Sequence, residues 1–177
     1  MAKTDASHAF YLYTIDALIH SLMNISAILD KAEKHAANSK IESANLLQAR
    51  LYPDMFTLIQ QLQYCCYLPV DFAQHFADAP SPRVGYDEAD FKDVQKSIKM
   101  TIDYLTSIQP QRLIERADRI VPAFFDSSKG MSAMEYGMSV TMPDFYFHAT
   151  VAYAILRHNG VPLGKNDFWG ALKLKTI

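Results

Sequence analysis

An apolar stripe of eight residues near the N-terminus constrains the fold more than any other feature of this sequence. Its members follow one another at steps of four and three residues within positions 6–36: Tyr11, Ile15, Leu18, Leu22, Ile25, Leu29, Ala32 and Ala36. This spacing keeps one face of an α-helix apolar along its whole length, and Asp5 precedes the helix as its expected N-cap. A helix of about 45 Å must bury that face against other helices, which favours a helical bundle.

The same periodicity predicts one short helix and three further long helices. Their expected ranges are 41–51 for the short helix, then 54–78, 87–108 and 142–158 for the long ones. The expected N-terminal residues of the first three are Ser43, Asp54 and Asp87. Pro69 lies inside the second long helix, where its missing N–H and bulky ring predict a kink. Pro143 suits the first turn of the last helix, and Gly160 suits its C-terminal turn.

Residues 117–133 do not follow the helical spacing of apolar residues seen in the long helices. Arg119 to Phe125 alternate weakly between polar and apolar side chains, and Asp126 to Gly130 form a turn-like sequence. This pattern predicts a small β-hairpin or irregular insert, in which Pro122 indicates an edge position. One or two helical turns are expected over 133–141, and Phe168 and Trp169 are expected to hold the C-terminal tail. The prediction is therefore an all-α four-helix bundle with this insert, forming one domain over residues 1–177.

Composition excludes several classes of protein. The chain has 177 residues and a formal charge of −2, so a general nucleic-acid or membrane-surface binder is not expected. No secretory signal or membrane span is predicted, and the adjacent Cys65 and Cys66 read as apolar packing residues of a reducing, cytoplasmic environment. The sequence contains no GxxxxGK[ST], GxGxxG, GxSxG or HExxH motif.

Two polar residues on the most apolar helix are the candidate site. His148 is either a metal ligand or proton carrier, or a core histidine bonded to one partner. Asp144 stands four residues earlier on the same face, where it either pairs with His148 or serves the helix N-terminus. Gln63 lies among apolar residues of the second long helix and is either a core hydrogen-bonding group or a pocket wall.

Three segments carry a resemblance that covers nearly the whole chain. They are NISAILDKAEKHA in the first helix, LLQARLYPDMF before the second, and PDFYFHATVAYAILRHNGVPLGKNDFWG at the C-terminal end. These segments resemble a bacterial family of unknown function that is similar to the DinB/YfiT-like superfamily. The resemblance implies a four-helix bundle, often a homodimer, and a site where three histidines typically hold a divalent ion.

The matching positions in this chain are Gln63, Asp144 and His148. One imidazole, one carboxylate and one carboxamide form a poor zinc or nickel site, so no cofactor is expected. The function expected first is a non-catalytic bundle with a degenerate metal pocket that binds an unknown small molecule or another partner. The alternatives are a divalent-metal-dependent hydrolase or thiol-dependent transferase using Asp144 and His148, and a stress-related structural homodimer.

Overall fold

A computed structural model describes residues 9–76, 80–123, 126–172, 174 and 176. The described part of the chain is mostly helical and includes a two-stranded antiparallel hairpin. Four long helices stand where the periodicity predicts them, and a hairpin lies within residues 117–133. The differences lie at the helix ends, in one additional short helix and at the turn of the hairpin.

The first long helix, α1, extends over Ala9–Ser39 and includes a π-helical turn at Leu12–Asp16. Seven members of the predicted stripe, from Ile15 to Ala36, are buried, and Tyr11 is partly buried. Lys40 ends the helix in the left-handed conformation, with φ of 55°. The expected cap Asp5 lies outside the described residues.

The second long helix begins later than predicted. The short helix α2 covers Ser43–Leu47 with Glu42 at its N-cap, so Ser43 is its first residue and not its cap. The second long helix, α3, covers Leu58–Ala73, and Asp54 therefore lies in the preceding loop. Thr57 caps α3 through a reciprocal hydrogen-bond pair with Gln60, which satisfies two backbone donors at once.

The third long helix also begins later than predicted. It is α4, Phe91–Thr106, and its N-cap is Asp90, whose Oδ1 accepts a 2.8 Å hydrogen bond from the N–H of Asp93. Asp87 lies in the loop three residues earlier. A short helix that the sequence analysis missed, α5, follows at Pro110–Glu115, with Pro110 in its first turn.

The hairpin and the last long helix follow directly. Strands β1 (Ile120–Ala123) and β2 (Asp126–Ser132) pair antiparallel, so the predicted hairpin is present. The residues expected to form its turn, Asp126 to Gly130, belong instead to β2. Helix α6 (Ala133–Tyr136) continues through a π turn at Gly137–Thr141 into α7 (Met142–His158). The N–H of Met142 bonds to the carbonyl of Gly137, five residues back, immediately before Pro143, which has no N–H.

The C-terminal segment is bound to α1. Gly160 ends α7 with φ of 87°, and helix α8 (Lys165–Trp169) follows. Asn24 on α1 donates hydrogen bonds to the carbonyls of Phe168 (3.2 Å) and Trp169 (2.9 Å). The tail is therefore held mainly by hydrogen bonds to the backbone carbonyls of Phe168 and Trp169. The Phe168 ring also contacts Tyr153 edge-on.

The long helices pack in pairs around a common core. Helix α3 packs along α4 and α7, and α1 packs along α4 and α8. By length and composition alone, Ala9–Ser39 is apolar enough to cross a membrane, with a window of mean hydropathy 1.4. A core helix passes the same test, and the buried stripe of α1 packs in the core.

Candidate functional site

The candidate site is centred on His148, which is buried where α7 faces α3. Its Nδ1 lies 2.6 Å from Oε1 of Gln61, and its Nε2 lies 3.4 Å from Oδ1 of Asp144. The imidazole also stacks on Tyr64 at 4.6 Å between ring centroids and faces Phe56 at 6.1 Å. His148 is thus fixed by a hydrogen bond to Gln61 and by packing against the rings of Tyr64 and Phe56.

The partners of Gln61 define which nitrogen of His148 carries a proton. The Nε2 of Gln61 donates to the carbonyl of Phe56 at 3.4 Å, so its Oε1 is the atom that faces the imidazole. A carboxamide oxygen can only accept a hydrogen bond, and Nδ1 of His148 must therefore be the donor. In the neutral ring, Nε2 is then an acceptor directed toward Asp144.

Burial keeps this imidazole neutral. Removal from water lowers the pKa of His148 below its usual value of 6.5, and the nearby Asp144 opposes that shift with a smaller effect. Protonation at Nε2 would create a donor to Asp144, but burial disfavours that charged form of the ring. The pair is therefore a neutral imidazole beside the half-exposed carboxyl group of Asp144.

The structure does not bring Gln63 and His148 together. Gln61 meets His148, whereas Gln63 bonds to Glu88 at the loop before α4. Two residues turn an α-helix by about 200°, so the two glutamines leave α3 on opposite sides. The sequence did contain the signal, because Gln61 falls at steps of three and four from the buried Leu58 and Cys65.

A cavity of about 340 Å³ adjoins the cluster formed by His148, Gln61, Tyr64 and Asp144. Asp144 belongs to both, since it lines the cavity and contacts His148. The apolar part of the wall comes from α3, β1 and the π turn: Leu68, Val121, Pro122 and Val140. The remaining wall consists of polar and aromatic side chains: Tyr64, Tyr67, Asp71, His75, Tyr136 and Asp144.

Asp71 is the most highly connected polar group of the cavity. Its Oδ2 accepts a 2.8 Å hydrogen bond from the Tyr136 hydroxyl, and its Oδ1 accepts a 3.0 Å bond from Gln74. Burial and then the Asp71 carboxylate raise the pKa values of Tyr67 and Tyr136. Burial lowers the pKa of His75, whose ring meets Tyr136 edge-on. The phenols and this imidazole are therefore neutral at neutral pH.

The donors at this site do not fit the divalent ion that the family resemblance implies. Nδ1 of His148 is committed to Gln61, and only one carboxylate stands beside the ring. Among the residues that the structure describes, no three His, Cys, Asp or Glu side chains form a group able to hold a metal ion. Zinc sites use at least three such protein ligands.

Comparison with known proteins agrees with the mostly helical fold. The profile of a domain of unknown function, DUF1993, matches residues 10–169. The crystal structure of a DinB family member from Shewanella denitrificans is similar with a TM-score of 0.89 and 31% identity, over 97% of each chain. No curated protein matches this chain. The protein is therefore a DinB-like helical protein of unknown function. Within that class, the chain belongs to the DUF1993 family.

Proposed function

We propose that this chain is a non-catalytic small-molecule-binding protein in which the four long helices form a bundle, and α3, α7 and the hairpin border one ligand pocket. The observation that carries the proposal is the cavity between α3, β1 and the π turn. Its volume of about 340 Å³ suits a small ligand, and its walls combine apolar surface with a few convergent polar groups. That combination is typical of sites that bind and orient small molecules.

The side chains around the pocket support binding more than catalysis. Within the part of the chain that the structure describes, the cavity wall contains no Ser, Thr or Cys that could act as a nucleophile. Cys65 and Cys66 are free but buried, and burial raises the pKa of each thiol, which keeps both thiols protonated and unreactive. The alternative of a metal-dependent hydrolase or thiol-dependent transferase using Asp144 and His148 has less support, because the donor set there suits no divalent ion.

A ligand-observed NMR screen with a library of small fragments tests the proposal. Val140 lines the cavity, and Val140→Phe should fill part of it and abolish the binding of fragments that bind the wild-type protein. The matched control is Ile120→Phe, because Ile120 is an exposed residue of β1 outside the cavity wall. The proposal fails if no fragment binds, or if the fragments bind Val140→Phe as well as they bind the control.

We also propose that the protein is a homodimer in which a second copy covers the outer face of α1. Leu12, Met23 and Leu172 are large apolar residues exposed on or near this face. Met23 and Leu172 both line a groove of about 550 Å³ between α1 and the tail. The net charge of only −2 gives two copies little repulsion, and an apolar patch of this kind is typical of an interface.

Sedimentation velocity tests the dimer. Met23→Lys should shift the protein to the monomer, because it places a charge in the apolar groove. Met134→Lys, at another exposed methionine outside the groove, should leave the dimer intact. A wild-type protein that sediments as a monomer at all concentrations would contradict the proposal.

A further inference from the structure

The charges that line the cavity are all of one sign. Asp71 on α3 and Asp144 on α7 contribute two carboxyl groups, and among the described residues no Lys or Arg side chain belongs to the cavity wall. Arg119 is close enough to His75 to help lower the pKa of that histidine, yet it does not line the cavity. Helices α3 and α7 thus each contribute an acidic group to the same cavity.

Both carboxyl groups have neutral neighbours. Tyr136 and Gln74 donate hydrogen bonds to Asp71, and the neutral His148 ring lies beside Asp144. Because burial and Asp71 raise the pKa of Tyr136, the phenol keeps its proton and donates it in the hydrogen bond to Asp71. Neutral donors therefore orient Asp71 toward the cavity.

Aromatic rings complete the lining. Tyr64 and Tyr67 meet edge-on with ring centroids 6.1 Å apart, and Tyr136 meets His75 in the same way at 5.8 Å. The face of an aromatic ring carries partial negative charge and attracts cations within about 6 Å. Carboxylates and tyrosine rings in one small cavity are the two groups that proteins combine to bind organic ammonium ions.

We infer that the ligand of this cavity is a small organic cation of the alkyl- or arylammonium class, held between Asp71, Asp144 and the tyrosine rings. This inference rests on the proposed small-molecule binding and specifies the chemistry of the ligand. The ammonium group ion-pairs with the carboxylates, and its carbon skeleton contacts the rings and the apolar wall of Leu68 and Val140.

Three probes of nearly equal size and different charge test the inference: benzylammonium, benzyl alcohol and benzoate. Their dissociation constants for the full-length protein are measured by titration NMR or calorimetry. We expect benzylammonium to bind at least about tenfold more tightly than benzyl alcohol, because a desolvated cation gains both ion-pair and cation–π attraction. Benzoate should bind most weakly of the three.

Variants that remove one carboxyl group test which side chains bind the ammonium ion. Asp144→Asn and Asp71→Asn should each weaken benzylammonium binding by about tenfold or more and leave benzyl alcohol binding unchanged. Asp103→Asn is the matched control, because Asp103 is exposed on α4, pairs with Lys99 and changes the net charge equally. Thermal unfolding of each variant verifies that it folds, and Asp144→Asn remains informative if Asp71→Asn does not fold.

The outcomes separate this inference from the proposed function. If benzyl alcohol or benzoate binds as tightly as benzylammonium, the inference is overturned while small-molecule binding stands. If none of the three probes binds, the inference is again overturned, and the fragment screen decides whether the cavity binds anything. If the cation binds best but Asp103→Asn weakens it as much as Asp144→Asn, the preference arises from overall charge and the inference fails.

Discussion

At the scale of single residues, His148 is held as a neutral core histidine. The sequence is compatible with two roles for His148, a metal ligand and a core residue. The short contact with Gln61 and the stacking on Tyr64 favour the second, because both fix the ring before any ligand arrives. Asp144 then connects this fixed ring to the cavity.

Replacing His148 should destabilise the protein. We expect His148→Ala to lower the free energy of unfolding by about 2 kcal/mol, from the lost ring contacts and the unpaired carboxamide of Gln61. Urea unfolding measures the effect. His158→Ala, at an exposed histidine of the same helix, should cost less than about 1 kcal/mol. Equal losses in the two variants would contradict a structural role for His148.

The lowered pKa of His148 gives the stability of the protein a pH dependence of known sign. Because its pKa in the folded state lies below 6.5, the unfolded chain binds the proton more readily. Stability should be complete above pH 6.5 and fall as the pH decreases toward the folded-state pKa, by up to about 1.4 kcal/mol per pH unit for one group. His75 contributes with the same sign.

Urea unfolding as a function of pH isolates the contribution of His148. In His148→Asn, the loss of stability below pH 6.5 should be smaller than in the wild-type protein, and the part due to His75 should remain. Identical pH dependence in the two proteins would show that His148 does not titrate differently on unfolding.

At the scale of elements, the C-terminal helix α8 depends on one glycine. Gly170 has φ of 68°, and a Cβ at this position would overlap the side-chain amide of Asn24. That amide donates to the carbonyls of Phe168 and Trp169, so the same close approach that requires glycine also anchors the tail. Lys31 adds an ion pair to Asp167 at 2.6 Å.

Gly170→Ala should therefore release α8 from α1. Amide hydrogen exchange within Lys165–Trp169 is expected to accelerate by at least about tenfold, because the docked state loses more than about 1 kcal/mol through strain and overlap. Gly164→Ala is the control, since a Cβ there meets no atom within 4 Å and the residue is extended. Unchanged exchange in Gly170→Ala would mean that Asn24 does not anchor the tail.

The helix ends show why element boundaries were predicted less well than elements. Each of two loops offers two residues able to cap the following helix: Asp54 or Thr57, and Asp87 or Asp90. In both cases the later residue is the cap. Periodicity within a helix is a local property, whereas the choice between two nearby caps depends on where the loop meets the rest of the protein.

At the scale of the whole molecule, we expect the fold to be independent of metal. Protein purified without a metal-affinity tag should contain only substoichiometric zinc or nickel, and dialysis against EDTA should leave its melting temperature unchanged. The reason is that no suitable group of three ligands exists among the described residues. Plasma mass spectrometry and thermal unfolding measure the two quantities. Stoichiometric metal together with a lower melting temperature in chelator would overturn this prediction.

The sequence by itself determined the long helices, the hairpin and the burial of His148, because apolar periodicity and turn residues act over a few neighbours. The absence of the HExxH zinc-binding motif was also evident from the sequence. The tertiary structure alone decided that Gln61 and not Gln63 meets His148, and that Asp71 and Tyr136, on α3 and α6, join Asp144 around one cavity. Such contacts depend on how helices distant in sequence rotate and pack against one another, and a one-dimensional pattern does not contain that rotation.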